Sequence, residues 1–555
     1  MTMLLHILFI SAIILVNRNK SILSRIFAKH GVSAVDDGVE LEDERDEIYP
    51  VHYIDQAAII RSSLISYTFR YENVLDAHDL RVSLSRLLSS GDWRKLGGRL
   101  RRNKEGKLEI HVPRKFSHDR PSFRFSHVQL DLDMDAHPLA RRLPAKTGDK
   151  PSIHEGCRLF REFSIPSTLP NNINHYLSTD EPLICLHIHS FTDATLVSIT
   201  FPHLLSDAMG TTGLLQAWGD LLRDPSRMSP RMHIAGAKQD VVAQVGTEGD
   251  KTARDTRFVL EDKQTTGLSL FLFIARFIFD IWAHPRIETR HIYLPARFVA
   301  HLHREAKEEW MTDGTDNGDT KPLPFLSDGD LITAWGARMV LLSTSSKGSA
   351  LICNVFDMRR RLLGLSEPSP SSPSSYLQNL ILPSTVLLDA EETRSLSTSR
   401  IARRVRRALV EQTTDAQVRS LMRIARAWFS RLGTMPLFAR WDTTRVFACT
   451  NWSKAGLLRH ADLFVPAATA INTATTPSSH QRETCNDDDI SNNIVKKSKK
   501  KPLEFWGTTL SVQDNPRDCF VIYGQDHDGD YWVHAYLRKE TWDLIQLELD
   551  RYGVA

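Results

Sequence analysis

The chain has 555 residues, which is longer than one ordinary domain and predicts two domains with additional segments. Its 41% hydrophobic content, with 11 Trp and 24 Phe, is ample for sizeable cores, and a formal net charge of +3 argues against a nucleic-acid partner. The six cysteines show neither a Cys-x-x-Cys pair nor a His/Cys metal spacing, so we expect no disulfide framework, no bound metal and a reducing, cytoplasmic location.

An apolar run at residues 3–16 opens the chain and is followed by a polar, basic stretch. Its length falls short of the roughly 20 residues that a membrane-spanning helix needs, no Lys or Arg precedes it, and no clear cleavage site follows it. Residues 1–20 are therefore either a membrane-anchor or signal-like segment, which would allow membrane association, or a start-site artefact or disordered tail. Residues 21–47 are an acidic linker, so the folded body is expected to begin near Ile48.

Residues 48–240 mix helix and strand patterns and are interpreted as an N-terminal domain. Apolar spacing predicts a helix over 76–88, and alternation predicts strands over 107–112 and 194–201. The last of these strands leads into an amphipathic helix that begins after Asp207. This junction is the most informative part of the chain.

His203 and Asp207 lie at that junction in the pattern His-x-x-x-Asp. A histidine at a strand end, with an acid four residues on at a helix start, can be held rigidly against a cleft, as a general base requires. The pattern occurs three times in the chain, but only here does a strand precede it while Gly210 and a helix follow. For His203 taken alone, the alternative is a strand-end histidine bonded to backbone.

Residues 241–290 are predicted to be a crossover connector between two domains. A polar part is followed by a strongly apolar, aromatic stretch at 268–282, which Arg276 and Asp280 interrupt. We favour a helix that packs against its own domain with both charges on its outer side. The alternative is a helix that lies on a membrane surface.

Residues 291–555 repeat the mixture and are interpreted as a C-terminal domain. Helices are predicted over 328–344, 398–432 and 540–551, and strands over 350–356, 519–523 and 531–537. Residues 467–500 are low in apolar content and are predicted to be a disordered insert. The lysine run at 496–501 is either a solvated tail of that insert or a localisation or anion-binding patch.

Four short motifs follow one another along the two predicted domains. They are His203-Leu-Leu-Ser-Asp207 with Gly210, Asp357-Met-Arg359-Arg-Arg361, Tyr376-Leu-Gln-Asn379, and Thr450-Asn451-Trp452 with Asp462 beyond. In this order they resemble the motifs of the BAHD-type coenzyme A-dependent acyltransferases, in particular the fungal branch that includes the trichothecene acetyltransferases. The chain departs from the family at Gln378, where a glycine is usual, and after Asp462, where the Asp-Phe-Gly-Trp-Gly motif is not continued.

The resemblance implies an α/β fold of two chloramphenicol-acetyltransferase-like domains with mixed sheets, joined by the crossover segment. The active site would lie in a tunnel at their interface. It also implies a monomer that uses acyl-CoA as co-substrate, binds no permanent cofactor, and acylates a small alcohol or amine of secondary metabolism.

Roles for individual residues follow from the same resemblance. His203 would be the general base, and Asp207 would point away from it to pair with either Arg359 or Arg361. Thr450, Asn451 or Trp452 could donate a hydrogen bond to the tetrahedral oxyanion, although Trp452 could equally be a core residue. The remaining motif residues would be structural: Gly210, Asp357, Tyr376, Asn379 and Asp462. Because no Ser or Cys lies in a nucleophile-elbow context, direct transfer without an acyl-enzyme is favoured.

Two other functions fit parts of the sequence. A condensation-type domain carries His-His-x-x-x-Asp-Gly, but Pro202 takes the place of the first histidine here, and no carrier domain is visible. A non-catalytic regulator with the same fold would explain the departure after Asp462 but not the intact His203 and Asp207.

Overall fold

The computed structural model describes residues 46–169, 172–224, 234–314, 324–344, 348–362, 376–461, 504–509 and 516–552. The predicted apolar segment 1–20, most of the acidic linker 21–47, Asp462, and the insert 467–500 with its lysine run lie outside these described residues.

The strands belong to three sheets. In chain order they are β1 (Glu47–Pro50), β2 (Leu64–Tyr71), β3 (Arg99–Arg102), β4 (Leu108–Val112), β5 (Arg124–Gln129), β6 (Ser152–Glu155), β7 (Cys185–Ser190), β8 (Thr195–Pro202), β9 (Glu288–Leu294), β10 (Ser349–Asp357), β11 (Ile381–Leu388), β12 (Thr443–Asn451), β13 (Glu504–Thr509), β14 (Cys519–Gln525) and β15 (Tyr531–Leu537). The small sheet has the order β1-β4-β3.

Helices flank the two larger sheets. The longer ones are α1 (Ala77–Leu88), α2 (Ala208–Arg223), α3 (Gly267–Ala283), α4 (Ala296–Gly314), α5 (Asp328–Leu342), α6 (Thr398–Gln412), α7 (Asp415–Leu432) and α8 (Lys539–Tyr552). Short α-helical segments occur at Ala58–Ser62, Arg161–Ser164, Ile173–Ser178, Lys251–Asp255, Glu392–Ser395 and Leu457–His460. In the described part of the chain, no helix combines the length and the apolar character needed to cross a membrane.

Most of the predicted elements are confirmed to within a few residues. The stretch 398–432 is the exception, because it is two helices instead of one. Thr414 has extended backbone angles, and its side chain accepts a hydrogen bond from the N–H of Gln417. A hydroxyl that caps a new helix in this way ends the preceding one, since its backbone has left the helical conformation.

The five-stranded sheet has the order β13-β2-β8-β7-β5, and β8 is its central strand. Both neighbours of β8 are antiparallel to it, and all eight of its residues are buried. The last pair of the β2–β8 register joins Leu64 to Pro202. His203 therefore emerges directly from the end of a fully buried strand.

The seven-stranded sheet has the order β11-β10-β12-β14-β15-β9-β6 and contains both parallel and antiparallel pairs. One face packs against α5, α6 and α8, where Trp335 and Trp542 are buried. Side chains on the opposite face of β14 and β15, such as Tyr523 and Trp532, belong to the core that includes the five-stranded sheet. The sheet thus has α5, α6 and α8 on one face, and α3 with the rest of the protein on the other.

Each half of the chain contributes a strand to the other half's sheet. Strand β6, from the N-terminal half, pairs with β9 in the seven-stranded sheet. Strand β13, from the C-terminal half, pairs with β2 in the five-stranded sheet. The domain limits at residues 240 and 291 stay a prediction, while the two sheets are joined through one continuous core.

Helix α3 lies in the segment predicted to be the crossover. Its Asp280 faces inward and accepts hydrogen bonds from Arg445 at 2.9 Å and Arg538 at 2.6 Å. The expectation that both charges of this helix lie on its outer side was therefore wrong for Asp280. The buried guanidinium groups compensate the carboxylate, and they come from β12 and from the end of β15.

Candidate active site

The backbone of His203 is held from both halves of the chain. Its N–H donates to the carbonyl of Ser63 at 2.8 Å, next to the start of β2. Its carbonyl accepts a hydrogen bond from the side-chain amide of Asn379, also at 2.8 Å. The histidine is consequently fixed at the meeting point of the five-stranded sheet and a C-terminal segment.

The imidazole of His203 has a defined protonation pattern. Its Nδ1 lies 3.1 Å from the carbonyl oxygen of Ser206, which can only accept a hydrogen bond. Nδ1 therefore carries the proton and Nε2 keeps its lone pair. Burial lowers the pKa of His203 below the ordinary value, against the smaller effect of the nearby Asp207 charge. The ring is thus a neutral base at pH 7, and the residue keeps part of its surface accessible.

Asp207 caps helix α2 and is saturated with hydrogen bonds. Its Oδ1 accepts from the N–H of Gly210 at 2.9 Å, and its Oδ2 accepts from the N–H of Leu380 at 3.1 Å. The guanidinium of Arg359 bonds to both oxygens, at 2.9 and 3.0 Å. All these partners are fixed, so the carboxylate serves the structure of the loop that carries His203.

Arg359 is the arginine that pairs with Asp207, a choice that the sequence left open between Arg359 and Arg361. It also donates to Asp357 at 2.6 Å and to the carbonyl of Gln378 at 2.9 Å, and it lies over the ring of Tyr376 at 5.5 Å. Three of the sequence motifs are therefore joined through one guanidinium group.

Gly210 is required by a close approach between α2 and the segment around Leu377. A Cβ atom added at Gly210 would lie 2.0 Å from the carbonyl oxygen of Leu377 and 2.4 Å from Oγ of Ser206. The neighbour is backbone, which cannot move aside. This contact explains why glycine follows the His-x-x-x-Asp pattern here.

Asp55 and Lys95 are buried site residues that the sequence analysis missed. Asp55 accepts hydrogen bonds from the backbone N–H of Asn379 at 3.1 Å and from its side chain at 2.8 Å. Burial raises the pKa of Asp55 and lowers that of Lys95, while their opposite charges act against both shifts. Neither residue lies in a motif, so no local pattern could have identified them.

Tyr376 and Gln378 belong to the segment that leads to Asn379. The hydroxyl of Tyr376 is 3.2 Å from Nδ1 of His52. Gln378, in the place where the family has glycine, is buried, and its backbone carbonyl accepts from Arg359. The backbone carbonyl at this position bonds to Arg359 with glutamine in place of glycine.

Two of the candidate oxyanion donors, Thr450 and Asn451, lie on opposite faces of β12. Phe447 and Cys449 belong to the core beneath α5, and Asn451 has the same parity. Its side-chain nitrogen lies against Gly329 of α5, and its Oδ1 accepts from the N–H of Ser453. The side chain of Asn451 is thus engaged on the face towards α5, whereas Thr450 has the opposite parity and is partly exposed. Which of these residues donates to the oxyanion stays a prediction.

Trp452 links the two sheets through aromatic contacts. It stacks on Tyr523 of β14 with ring centroids 5.5 Å apart, and it contacts Tyr67 of β2 at 5.6 Å. Tyr67 in turn contacts Phe201, two residues before His203. The partly buried side chain of Trp452 is therefore packed against the core between the two sheets.

Within the described ranges, two groups of side chains approach the composition of a metal site. Cys157, His291 and His534 are buried together, but the sulfur lies 3.5 and 3.9 Å from the two nitrogens of His534. A sulfur at similar distances from both nitrogens lies over the ring face and not in line with a lone pair. This is the geometry of packing, whereas a shared metal needs both lone pairs directed at one point.

The second group is a cluster of carboxylates in the β14–β15 turn, at Asp526, Asp528 and Asp530. The ammonium group of Lys146 lies among them, 2.7 Å from Asp526 and 2.5 Å from Asp528. A fixed cation therefore already compensates these charges.

No family model matches the chain. Comparison with known sequences, however, finds relatives that align over most of its length. Acetyltransferase BOT5 of Botryotinia fuckeliana is 51% identical over 527 residues, covering 94% of this chain and 94% of that protein. Acetyltransferase pyiB of Pyricularia grisea is 34% identical over 504 residues, covering 91% and 93%. A more distant relative, from Penicillium decumbens, is named transcriptional regulator calD and is 28% identical, covering 91% and 95%.

A solved structure with the same fold is TRI101 of F. sporotrichioides, crystallised with coenzyme A and T-2. It superimposes with a TM-score of 0.56 at 13% identity, covering 90% of this chain and 97% of that chain. At this identity the likeness shows the fold alone. The predicted α/β fold of two chloramphenicol-acetyltransferase-like domains with mixed sheets is thereby confirmed.

Proposed function

Because the chain belongs to the fungal acyltransferases of the BAHD type, we propose that it transfers an acyl group from acyl-CoA to a small acceptor. The acceptor is a hydroxyl, or an amine, of a secondary metabolite. The observation that carries this proposal is the neutral imidazole of His203, with its proton on Nδ1 and the Nε2 lone pair available. The coenzyme A in the TRI101 crystals, a protein of the same fold, supports a thioester donor.

The reaction needs one base and no covalent intermediate on the protein. Nε2 of His203 accepts the proton of the acceptor hydroxyl as its oxygen attacks the thioester carbonyl. The tetrahedral intermediate then collapses, the carbon–sulfur bond breaks, and the coenzyme A thiolate takes the proton back from Nε2. General-base catalysis of this kind contributes about 10²–10⁴-fold.

The oxyanion of that intermediate needs a hydrogen-bond donor. We assign this role to Thr450, because its side chain has the parity that faces away from α5 and it is partly exposed. Asn451 is engaged with Ser453 on the other face. Loss of one such donor costs about 10²–10³-fold in turnover.

The remaining motif residues position His203. Asp207 has no free lone pair for a proton relay, because backbone N–H groups and Arg359 occupy both oxygens. Asn379 holds the His203 carbonyl, and Gly210 permits the close contact with Leu377. We expect a monomer with acyl-CoA as its co-substrate.

The test is free-thiol release from a panel of acyl-CoA donors and terpenoid or phenolic alcohols, with wild type beside His203→Ala. Wild-type activity that is lost in a well-folded variant supports the proposal. Activity that survives in His203→Ala would move the base elsewhere. If both proteins are inactive and neither binds coenzyme A, the regulator that the name of the relative calD suggests becomes the better proposal.

A further inference from the structure

Helix α3 presents apolar side chains on two opposite sides. Phe273, Ile274 and Ile281 are buried, with the first two packed against β10 and the chain before β12. The outer side consists of large apolar residues that are between 43% and 76% exposed: Leu268, Phe271, Ile278, Phe279 and Trp282. One side of the helix holds it to the protein, and the described residues leave the other side exposed.

The exposed residues form one continuous stripe. Their spacing of three, seven, one and three residues keeps all of them within about one third of the helix circumference. Trp441, also more than half exposed, lies beside the stripe, because Arg276 stacks on its ring at 5.4 Å and donates to its carbonyl. A large exposed apolar area of this kind marks a surface that contacts something else.

Two arginines lie at the edge of the stripe, and the acidic residue of α3 does not face it. The acid of α3, Asp280, is turned inward, where it meets Arg445, Arg517 and Arg538. Arg276 flanks the stripe, and Arg286 is exposed just beyond the C-terminus of α3. The outer face of the helix therefore combines an uncharged aromatic surface with cations at its edge.

We propose that the outer face of α3, together with Trp441, docks on the surface of an anionic lipid bilayer. Phe and Trp side chains suit the boundary between headgroups and acyl chains, and arginines at the edge of such a stripe meet phosphate groups. The helix lies flat, because its inner side stays packed on the protein. The charge arrangement favours lipid headgroups over a second copy of this chain, whose matching face would carry the same cations.

The experiment is flotation of the full chain with vesicles of phosphatidylcholine, with and without a minority of phosphatidylserine. Wild type is expected to float with the anionic vesicles and to dissociate as salt is raised. The double variant Phe271→Ser/Trp282→Ser is expected to bind at least about tenfold more weakly, since it exposes no apolar side chain at these positions. Both residues are exposed, so the fold should be retained, which circular dichroism checks.

A matched control changes exposed apolar residues elsewhere, as in Met311→Ser/Val410→Ser, and should leave vesicle binding unchanged. Should the double variant misfold, Arg286→Glu provides the second arm and is expected to weaken only the phosphatidylserine-dependent binding.

Three outcomes would overturn the proposal. If wild type does not float, α3 is not a membrane contact. If the double variant floats as well as wild type, the contact lies elsewhere, and the apolar residues 3–16 become the candidate. A wild-type dimer in light scattering that the double variant dissociates, with no vesicle binding, would assign the face to a second copy. Acyl transfer in vesicle-free solution is a separate readout, so this proposal and the proposed function fail independently.

Discussion

The guanidinium of Arg359 spans both carboxylate oxygens of Asp207, with Nη2 2.9 Å from Oδ1 and Nη1 3.0 Å from Oδ2. Asp207 begins α2 beside the five-stranded sheet, and Arg359 follows β10 of the seven-stranded sheet. Both side chains are largely buried. The loop that carries His203 is thus held by a charge pair that exists only when the two halves of the chain are assembled.

The first prediction concerns this pair. Asp207→Asn removes a buried carboxylate and leaves the Arg359 charge with only Asp357 to compensate it. We expect the free energy of unfolding to fall by about 3–5 kcal/mol and the folded yield to fall at least as much as turnover per folded molecule. Urea unfolding and active-protein titration measure the two effects. Arg361→Gln is the control, and a normally folded but inactive Asp207→Asn protein would contradict a purely structural role.

There is a physical reason why the sequence alone does not show whether Arg359 or Arg361 pairs with Asp207. If β10 continued through its motif, both residues would lie on one face of the strand. The strand instead ends at Asp357, and the chain turns so that the N–H of Arg361 donates to the carbonyl of Met358 at 2.8 Å. The turn leaves Arg359 alone facing Asp207. Where a strand ends is decided by its tertiary neighbours.

The junction of β8 and α2 was predictable because its signals are local: an apolar strand, a helix cap and a glycine. The inward side of α3 was not, because both sides of that helix are apolar and periodicity alone gives no direction. Asp280 faces inward because arginines more than 160 positions away in sequence surround it. Asp55, which reaches Asn379, was missed for the same reason.

Gly210→Ala tests the close approach of α2 to the segment around Leu377. The added Cβ would collide with a backbone carbonyl, so we expect a loss of stability of about 2 kcal/mol or more. Gly249→Ala is the matched control, because a Cβ there meets only Oγ1 of Thr247 at 3.8 Å. Thermal unfolding of the two variants makes the comparison, and equal melting temperatures would show that the contact is looser than described.

Asn379→Leu tests whether the His203 carbonyl must be held from the C-terminal half. The change removes donors to that carbonyl and to Asp55, and it should cost about 1–3 kcal/mol of stability. We expect kcat to fall by about ten- to a hundredfold with little change in KM, because the base is displaced and the binding surface is retained. Steady-state kinetics separate the two constants. An equal loss from Asn103→Leu, in a distant turn, would indicate a general effect.

The pH dependence of turnover follows from the burial of His203. Its pKa is lowered, so the imidazole stays neutral, and active as a base, to a lower pH than an ordinary histidine. We expect kcat/KM to be level near neutrality and to fall with a midpoint below about 6.5, the ordinary value. An acid limb centred at or above that value would mean that the titrating group is not a buried His203.

Stability should also depend on pH, through histidines buried in the sheets. Burial lowers the pKa of His189 to about 3 and that of His291 to about 4, and it lowers the pKa of His534 well below the ordinary value. Each is neutral in the folded protein, while in the unfolded chain each gains a proton near pH 6.5. Between the two values the unfolded state binds more protons, so the free energy of unfolding falls as pH falls.

The size of this effect is about 1.4 kcal/mol per pH unit for each such histidine, within the window from about 6.5 down to 4. Asp55 opposes it, because burial raises the pKa of that carboxyl and the folded state then binds the extra proton. Urea unfolding across this window measures the slope. His189→Phe, whose ring can keep the edge contact with Phe163, should reduce the slope by about one histidine's share. His118 is fully exposed, so His118→Gln should leave the slope unchanged. If His189→Phe also leaves the slope unchanged, the acid sensitivity belongs to groups other than the buried histidines.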